Sequence, residues 1–291
     1  MKKSPWLLYA FITTLFFGLW GALISEPEKA GFPETLIYVV WSITMIIPAM
    51  FALWHVKWKL DTNRKSILYG SIVGFTGASG QLVLFTGAIE HGPAYLIFPI
   101  ISLAPVVTIL LSVVFLREGA SKRGWVGIGL ALLAIPFLSY VKSSGTSSDY
   151  LWLIYALLVF LAWGIQAYFI RLANKTMKAE SIFFYMMVTG LLLSPIALWM
   201  TDFSVEINWG FKGPYLAFLI QILNAIGALT IVYAFRYGKA IIVSPLTNAV
   251  APVLTVIISL ILYQVFPSTI ILIGMGIAVV STFILAFEEG S

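Results

Sequence analysis

Ten apolar runs divide the chain, each bounded by charges or turn residues. They lie near residues 6–25, 35–54, 67–89, 94–116, 124–141, 150–171, 181–200, 213–235, 240–263 and 268–287. A helix needs about 20 apolar residues to cross the hydrocarbon layer, and every run is close to that length. The pattern predicts an all-α polytopic membrane protein with ten transmembrane helices. Trp and Tyr gather near the run ends, at Trp6, Trp54, Trp58, Tyr140, Tyr150, Trp199 and Trp209 among others. Such aromatic belts mark the membrane–water interface. Lys2 and Lys3 ahead of the first run look like the basic start of a signal peptide. The run carries no small-x-small cleavage site and has a counterpart later in the chain, so it reads as part of the bundle.

Composition removes the soluble alternatives. Of 291 residues, 60% are hydrophobic and 10% charged, and the mean hydropathy is +1.00. A soluble domain runs near ~45–50% apolar and ~25% charged. Ten spans of about 20 residues leave roughly 90 for loops and tails, too few for a sizeable soluble domain. The absence of cysteine excludes disulfides, thiolate metal sites and cysteine nucleophiles.

The net charge of +5 changes meaning once it is mapped. With the N-terminus cytoplasmic and every run crossing, fourteen of the 17 Lys and Arg fall inside; Lys29, Lys142 and Lys212 fall outside. Acidic residues show no such bias. This is the positive-inside asymmetry, and it places both termini in the cytoplasm. The basic surplus is therefore a topology signal, and no nucleic-acid partner is expected.

The chain also repeats itself at an offset of about 146 residues. Tyr9-Ala10 matches Tyr155-Ala156, Gly18 matches Gly164, and Pro99 matches Pro245. After a one-residue slip, Ala104-Pro105 meets Ala251-Pro252, and Gly127-Ile128-Gly129 meets Gly274-Met275-Gly276. Each half, 1–145 and 146–291, holds five runs. Five is odd, so the second half enters from the opposite side, giving an inverted repeat of the kind many secondary transporters use.

Taken together, these features resemble the drug/metabolite transporter superfamily, in particular its EamA type with two five-helix repeats. The resemblance rests on Phe17-Gly18-Leu19-Trp20-Gly21, on Ala162-Trp163-Gly164, on Pro105 and Pro252, and on Glu118 before a glycine-rich fifth run. Gln264 stands where that family often shows Glu. The resemblance implies transport of small organic solutes, often export of metabolites or amino acids, and an integral protein of the bacterial plasma (inner) membrane.

Interrupted helices at corresponding positions of two halves point to a binding site, and the fourth and ninth runs carry the prolines. A proline inside a helix frees the carbonyl four residues earlier, which in lipid must find a partner or a wet cavity. Helical spacing groups Tyr95, Pro99 and Ser102 on one face of the fourth run, and Ser244, Asn248, Ala251 and Thr255 on one face of the ninth. Gln221 and Asn224 share a face of the eighth. Gly70, Gly74, Gly77 and Gln81 share a face of the third, which is most simply close helix packing. Trp20 corresponds to Gln166, and Trp163 lies one turn before the latter. Each amide either bridges two helices or lines a cavity. The candidate substrate-binding set is Trp20, Gln81, Tyr95, Pro99, Ser102, Trp163, Gln166, Gln221, Asn224, Ser244 and Asn248.

No Asp, Glu, Lys or Arg sits in the middle of any run. Glu90, Arg117, Arg171 and Arg236 lie near run ends, where long side chains snorkel to the interface. His55 and His91 fall at opposite faces, so no metal is expected, and no cofactor. No nucleophile–base pair or paired carboxylates of an intramembrane enzyme appear. The expectation is a secondary transporter for a neutral, zwitterionic or aromatic solute, an exporter or exchanger working by alternating access. The alternative is a channel-like pore for small neutral solutes. The expected partners are that solute and the lipid bilayer; the oligomeric state is open, and a monomer is compatible with the pattern.

Overall fold

A computed structural model describes residues 5–89, 97, 100–138, 140, 151–264 and 266–287. Among them the protein is all-helical. The helices are α1 (Pro5–Leu23), the short α2 (Ser25–Lys29), α3 (Glu34–Thr44), α4 (Ile46–His55), α5 (Arg64–Val83), α6 (Ala104–Leu116), α7 (Lys122–Leu138), α8 (Leu151–Ala173), α9 (Ala179–Trp199), α10 (Leu216–Tyr237), α11 (Ala240–Tyr263) and α12 (Thr269–Ala286). A wide π-helical turn extends α5 over Leu84–Ile89, and a kinked segment with Gly213 in a non-helical conformation precedes α10 over Phe211–Tyr215.

Seven stretches among the described residues are long and apolar enough to cross a membrane. They are Pro5–Lys29, Glu34–His55, Leu151–Ala173, Ala179–Trp199, Phe211–Tyr237, Ala240–Tyr263 and Thr269–Ala286, with a shorter apolar helix at Ile100–Leu116. The third and fifth runs are helical too, as α5 and α7. However, α5 spends its length on Gly, Ser and Thr, and α7 is described for 17 residues. The second run is one stretch, α3 and α4 joining at Met45, which keeps right-handed helical dihedrals and the Met45-to-Trp41 and Ala49-to-Met45 backbone bonds.

The helix packing comes in matched pairs. A methyl added at Gly18 of α1 would lie 2.5 Å from Leu254 Cβ and 3.3 Å from the Ala251 carbonyl oxygen of α11. One added at Gly164 of α8 would meet Val107 and lie 2.7 Å from the Ala104 carbonyl oxygen of α6. Each partner in the second pair is its counterpart displaced by 146 or 147 residues. The hydrogen bonds repeat as well. Thr255 Oγ1 donates to the Gly18 carbonyl at 3.2 Å, and Thr108 Oγ1 donates to the Gly164 carbonyl at 3.0 Å. Gly227 of α10 lies against Phe17, and Gly80 of α5 lies against Trp163. The fifth and tenth runs meet each other: Gly127 of α7 faces Ile284 and Leu285, and Gly274 of α12 faces Phe137 and Leu138.

Helix ends match in the same register. Arg117 and Gln264 close α6 and α11 in the left-handed conformation, both at φ 53°. The side chain of Ser121 accepts from the Gly124 N–H at the start of α7, and that of Ser268 from the Ile271 N–H at the start of α12. Gln264 thereby takes the place of Arg117 rather than that of Glu118.

At one end of the bundle, where Lys and Arg concentrate, two helices begin without a cap of their own. Lys178 and Lys239 occupy the N-cap positions of α9 and α11, and neither side chain caps. Carboxylates from elsewhere do so instead. Asp61 Oδ2 accepts from the Lys178 N–H at 2.8 Å and from Ser181 Oγ at 2.9 Å. Glu118 Oε2 accepts from the Ala240 N–H at 2.7 Å and the Ile241 N–H at 3.3 Å. Negative charge at a helix N-terminus meets both its orphan N–H groups and its dipole.

Glu118 also accepts from Arg171 Nε at 2.7 Å, in an ion pair whose side chains are 6% and 16% exposed. Arg171 then donates to the Phe235 and Arg236 carbonyls at 2.9 and 3.1 Å, closing the C-terminus of α10. Here the structure departs from the sequence reading, because Arg171 turns into the protein instead of snorkelling. Its fork finds an anion and two orphan carbonyls there, which repay its desolvation.

Candidate functional site

A cavity of about 570 Å³ runs between the helices. α1, α5, α8, α10 and α11 form its walls, together with the α3–α4 junction and the Ser102–Ala104 turn at the start of α6. Trp41 and Met45, one turn apart on this stretch, both face the cavity. Eight of the eleven sequence candidates meet here: Trp20, Gln81, Ser102, Trp163, Gln166, Asn224, Ser244 and Asn248. Gln221 lies one layer behind the surface, 2% exposed, where its Oε1 accepts from Trp20 Nε1 at 3.0 Å. Tyr95 and Pro99 lie outside the described residues.

The walls are apolar and aromatic, with amides set into them. Phe17, Trp20, Trp41, Trp163 and Phe235 supply ring surface. None of the described lining side chains is an Asp, Glu, Lys, Arg or His. A fixed charge at membrane depth holds a counter-ion, so a wall of this kind suits a solute of zero net charge. Trp41 Nε1 donates to Asn224 Oδ1 at 2.7 Å, and Asn248 Nδ2 donates to the Ser244 carbonyl at 2.9 Å. Sequence reasoning missed Trp41, Phe17 and Phe235. An apolar ring in an apolar run gives no signal of which way it faces until the neighbouring helices are placed.

The glycine face of α5 serves both purposes weighed for it. Gly70 and Gly74 lie under Tyr185 and Thr189 of α9, and Gly77 lies under Gln166 of α8. Gly74, Gly77 and Gln81 also border the cavity. The absence of side chains lets α8 and α9 approach closely and leaves room for the Gln166 amide.

The two prolines at matching positions act differently. Pro252 sits inside continuous α11, where the Asn248 carbonyl loses its usual helical donor. Pro105 stands in the first turn of α6, just after a tight turn at Leu103. Its missing N–H there is one that no helix start could satisfy internally. The fourth run therefore tightens into a turn at Leu103 just before its proline, whereas the ninth carries its proline within a continuous helix.

Comparison with known proteins agrees with this arrangement. The EamA-like transporter family matches residues 4–140 and 150–287, once in each half. An uncharacterized protein of Methanocaldococcus jannaschii is 30% identical over 102 residues, which is 35% of this chain and 74% of that protein. The crystal structure of another protein superposes with a TM-score of 0.79. It is 18% identical, and the match covers 97% of this chain and 96% of that one. At that identity the likeness concerns the fold.

Proposed function

This chain belongs to the EamA-like transporter family, and we propose that it is a secondary transporter for a small neutral, zwitterionic or aromatic metabolite. It works as an exporter or exchanger by alternating access. Residues 1–145 and 146–291 form two inverted five-helix units that give ten spans. The protein lies in the bacterial inner membrane with both termini cytoplasmic, and the end rich in Lys and Arg is the cytoplasmic one.

The observation that carries this reading is a cavity walled by helices of both halves, with no charged side chain among its described lining residues. The matched glycine contacts and Thr-to-carbonyl bonds support the inversion, because Gly18 with Thr255 and Gly164 with Thr108 exchange the two halves under one offset, and with five crossings per half the two-fold axis relating them lies in the membrane plane. The network around Glu118 and Arg171 supports a state closed at the cytoplasmic end.

Counterflow tests this. Proteoliposomes loaded with an unlabelled amino acid that the protein binds are expected to take up the labelled solute faster than empty ones. Uptake indifferent to the solute on the far side points instead to a channel-like pore.

A further inference from the structure

Asn224 and Asn248 both face the cavity, and their partners fix which atom each turns toward it. An indole N–H only donates, so the Asn224 atom 2.7 Å from Trp41 Nε1 is its oxygen. A backbone carbonyl only accepts, so the Asn248 atom 2.9 Å from the Ser244 carbonyl is its nitrogen. Flipping either amide would set donor against donor or acceptor against acceptor. Asn224 is left with its whole NH₂ group to offer, and Asn248 with its Oδ1 and one remaining N–H. Among the described residues no hydrogen bond fixes the Gln81 or Gln166 amide in this way, so those two can turn to suit either kind of partner.

We propose that this oriented pair reads the two ends of one dipolar solute. Asn224 donates to its carboxylate or carbonyl end, and Asn248 accepts from its ammonium or N–H end. Trp41 is the positioning residue that keeps Asn224 a donor. The assignment rests on the carrier reading above and refines it. It fits the uncharged walls: a solute of zero net charge with separated poles needs no fixed counter-ion, only a donor and an acceptor held apart on different helices. The rings of Phe17, Trp20 and Trp163 cover its apolar body.

The test uses the full protein in lipid nanodiscs and three probes sharing one phenyl ring. These are L-phenylalanine, 3-phenylpropanoate (no ammonium) and 2-phenylethylamine (no carboxylate). Asn224→Asp is expected to weaken the first two by at least tenfold, through the loss of one hydrogen bond to a charged group and the like-charge repulsion added to it, and to leave the amine bound as well as before or better. Asn248→Leu is expected to weaken phenylalanine and the amine and to spare the propanoate. Trp41→Phe frees the Asn224 amide to turn, so the affinity ratio of propanoate to amine falls, which a merely structural role would leave unchanged.

Ala167 also lines the cavity, and Ala167→Trp fills it, with Ala167→Leu as the milder version. Binding abolished by filling but equally affected for all three probes by the asparagine variants overturns the donor–acceptor pairing alone. Binding that survives filling places the solute elsewhere and overturns the carrier site as well. No binding of any probe to the unaltered protein overturns the dipolar reading. Melting of each ligand-free variant shows that it is folded.

Discussion

Replacing Arg171 by methionine is expected to lower the melting temperature of the detergent-solubilised protein by on the order of 10 °C. Removing one partner of a buried ion pair costs about 3–5 kcal/mol, and each kcal/mol shifts a protein of this size by roughly 2–4 °C. Arg171 is 16% exposed and Glu118 6%, so neither charge can be left to water. The loss reaches further than the pair. The Phe235 and Arg236 carbonyls lose their donor, and the carboxylate that caps α11 is left uncompensated.

Glu118→Ala is expected to cost a similar amount, because it strands the guanidinium and uncaps α11. The double variant is expected to recover much of the loss. A buried pair exchanged for apolar groups is often close to neutral. What stays lost is the capping on both sides, about 1–2 kcal/mol. Thermal unfolding of the two single variants and the double one measures this. Near-additive losses in the double variant, or a single loss below about 1 kcal/mol, which is typical of an exposed pair, contradict the buried-latch description.

The second large effect concerns the glycines at the helix crossings. Gly164→Ala puts a methyl 2.7 Å from the Ala104 carbonyl oxygen, and Gly18→Ala puts one 2.5 Å from Leu254 Cβ. Neither neighbour is the free end of a flexible chain, so the helices must separate. In lipid, helix association depends on close approach over small residues, and overpacking costs about 1–3 kcal/mol. The Thr108 and Thr255 hydrogen bonds to these same glycine carbonyls stretch with the shift. Gly129→Ala and Gly276→Ala are the controls. A methyl at either meets nothing within 4 Å, and alanine in a helix is favoured over glycine by about 0.5–1 kcal/mol. Lower melting points for the first pair and unchanged or higher ones for the second are expected. Equal behaviour of the two pairs would remove the crossings as tight contacts.

The sequence made the helices legible because apolar runs of membrane length leave few alternatives. It also placed Trp20, Gln81, Ser102, Trp163, Gln166, Asn224, Ser244 and Asn248, since a polar group in a span turns inward and helical spacing says which groups turn together. It could not say that Gln221 supports Trp20 from behind, because both readings put Gln221 inward and only the neighbouring helix decides. Thr108 and Thr255 were within reach, because the 147-residue offset already paired Pro105 with Pro252. The Glu118–Arg171 latch was not. Both residues sit near run ends, where an exposed charge is the rule. Only the arrival of two uncapped helix ends at the same point makes burial favourable.

The most direct measurement follows from the absence of cysteine, which lets one introduced thiol report alone. Ala251 lines the cavity. Alternating access predicts that a membrane-impermeant maleimide modifies Ala251→Cys from either side of the membrane, in vesicles of known orientation. Bound solute is expected to slow both reactions, and adding Arg171→Met to shift the ratio toward the face rich in Lys and Arg. Modification from one side alone, with or without solute and with the latch intact or broken, would contradict a carrier built around this cavity.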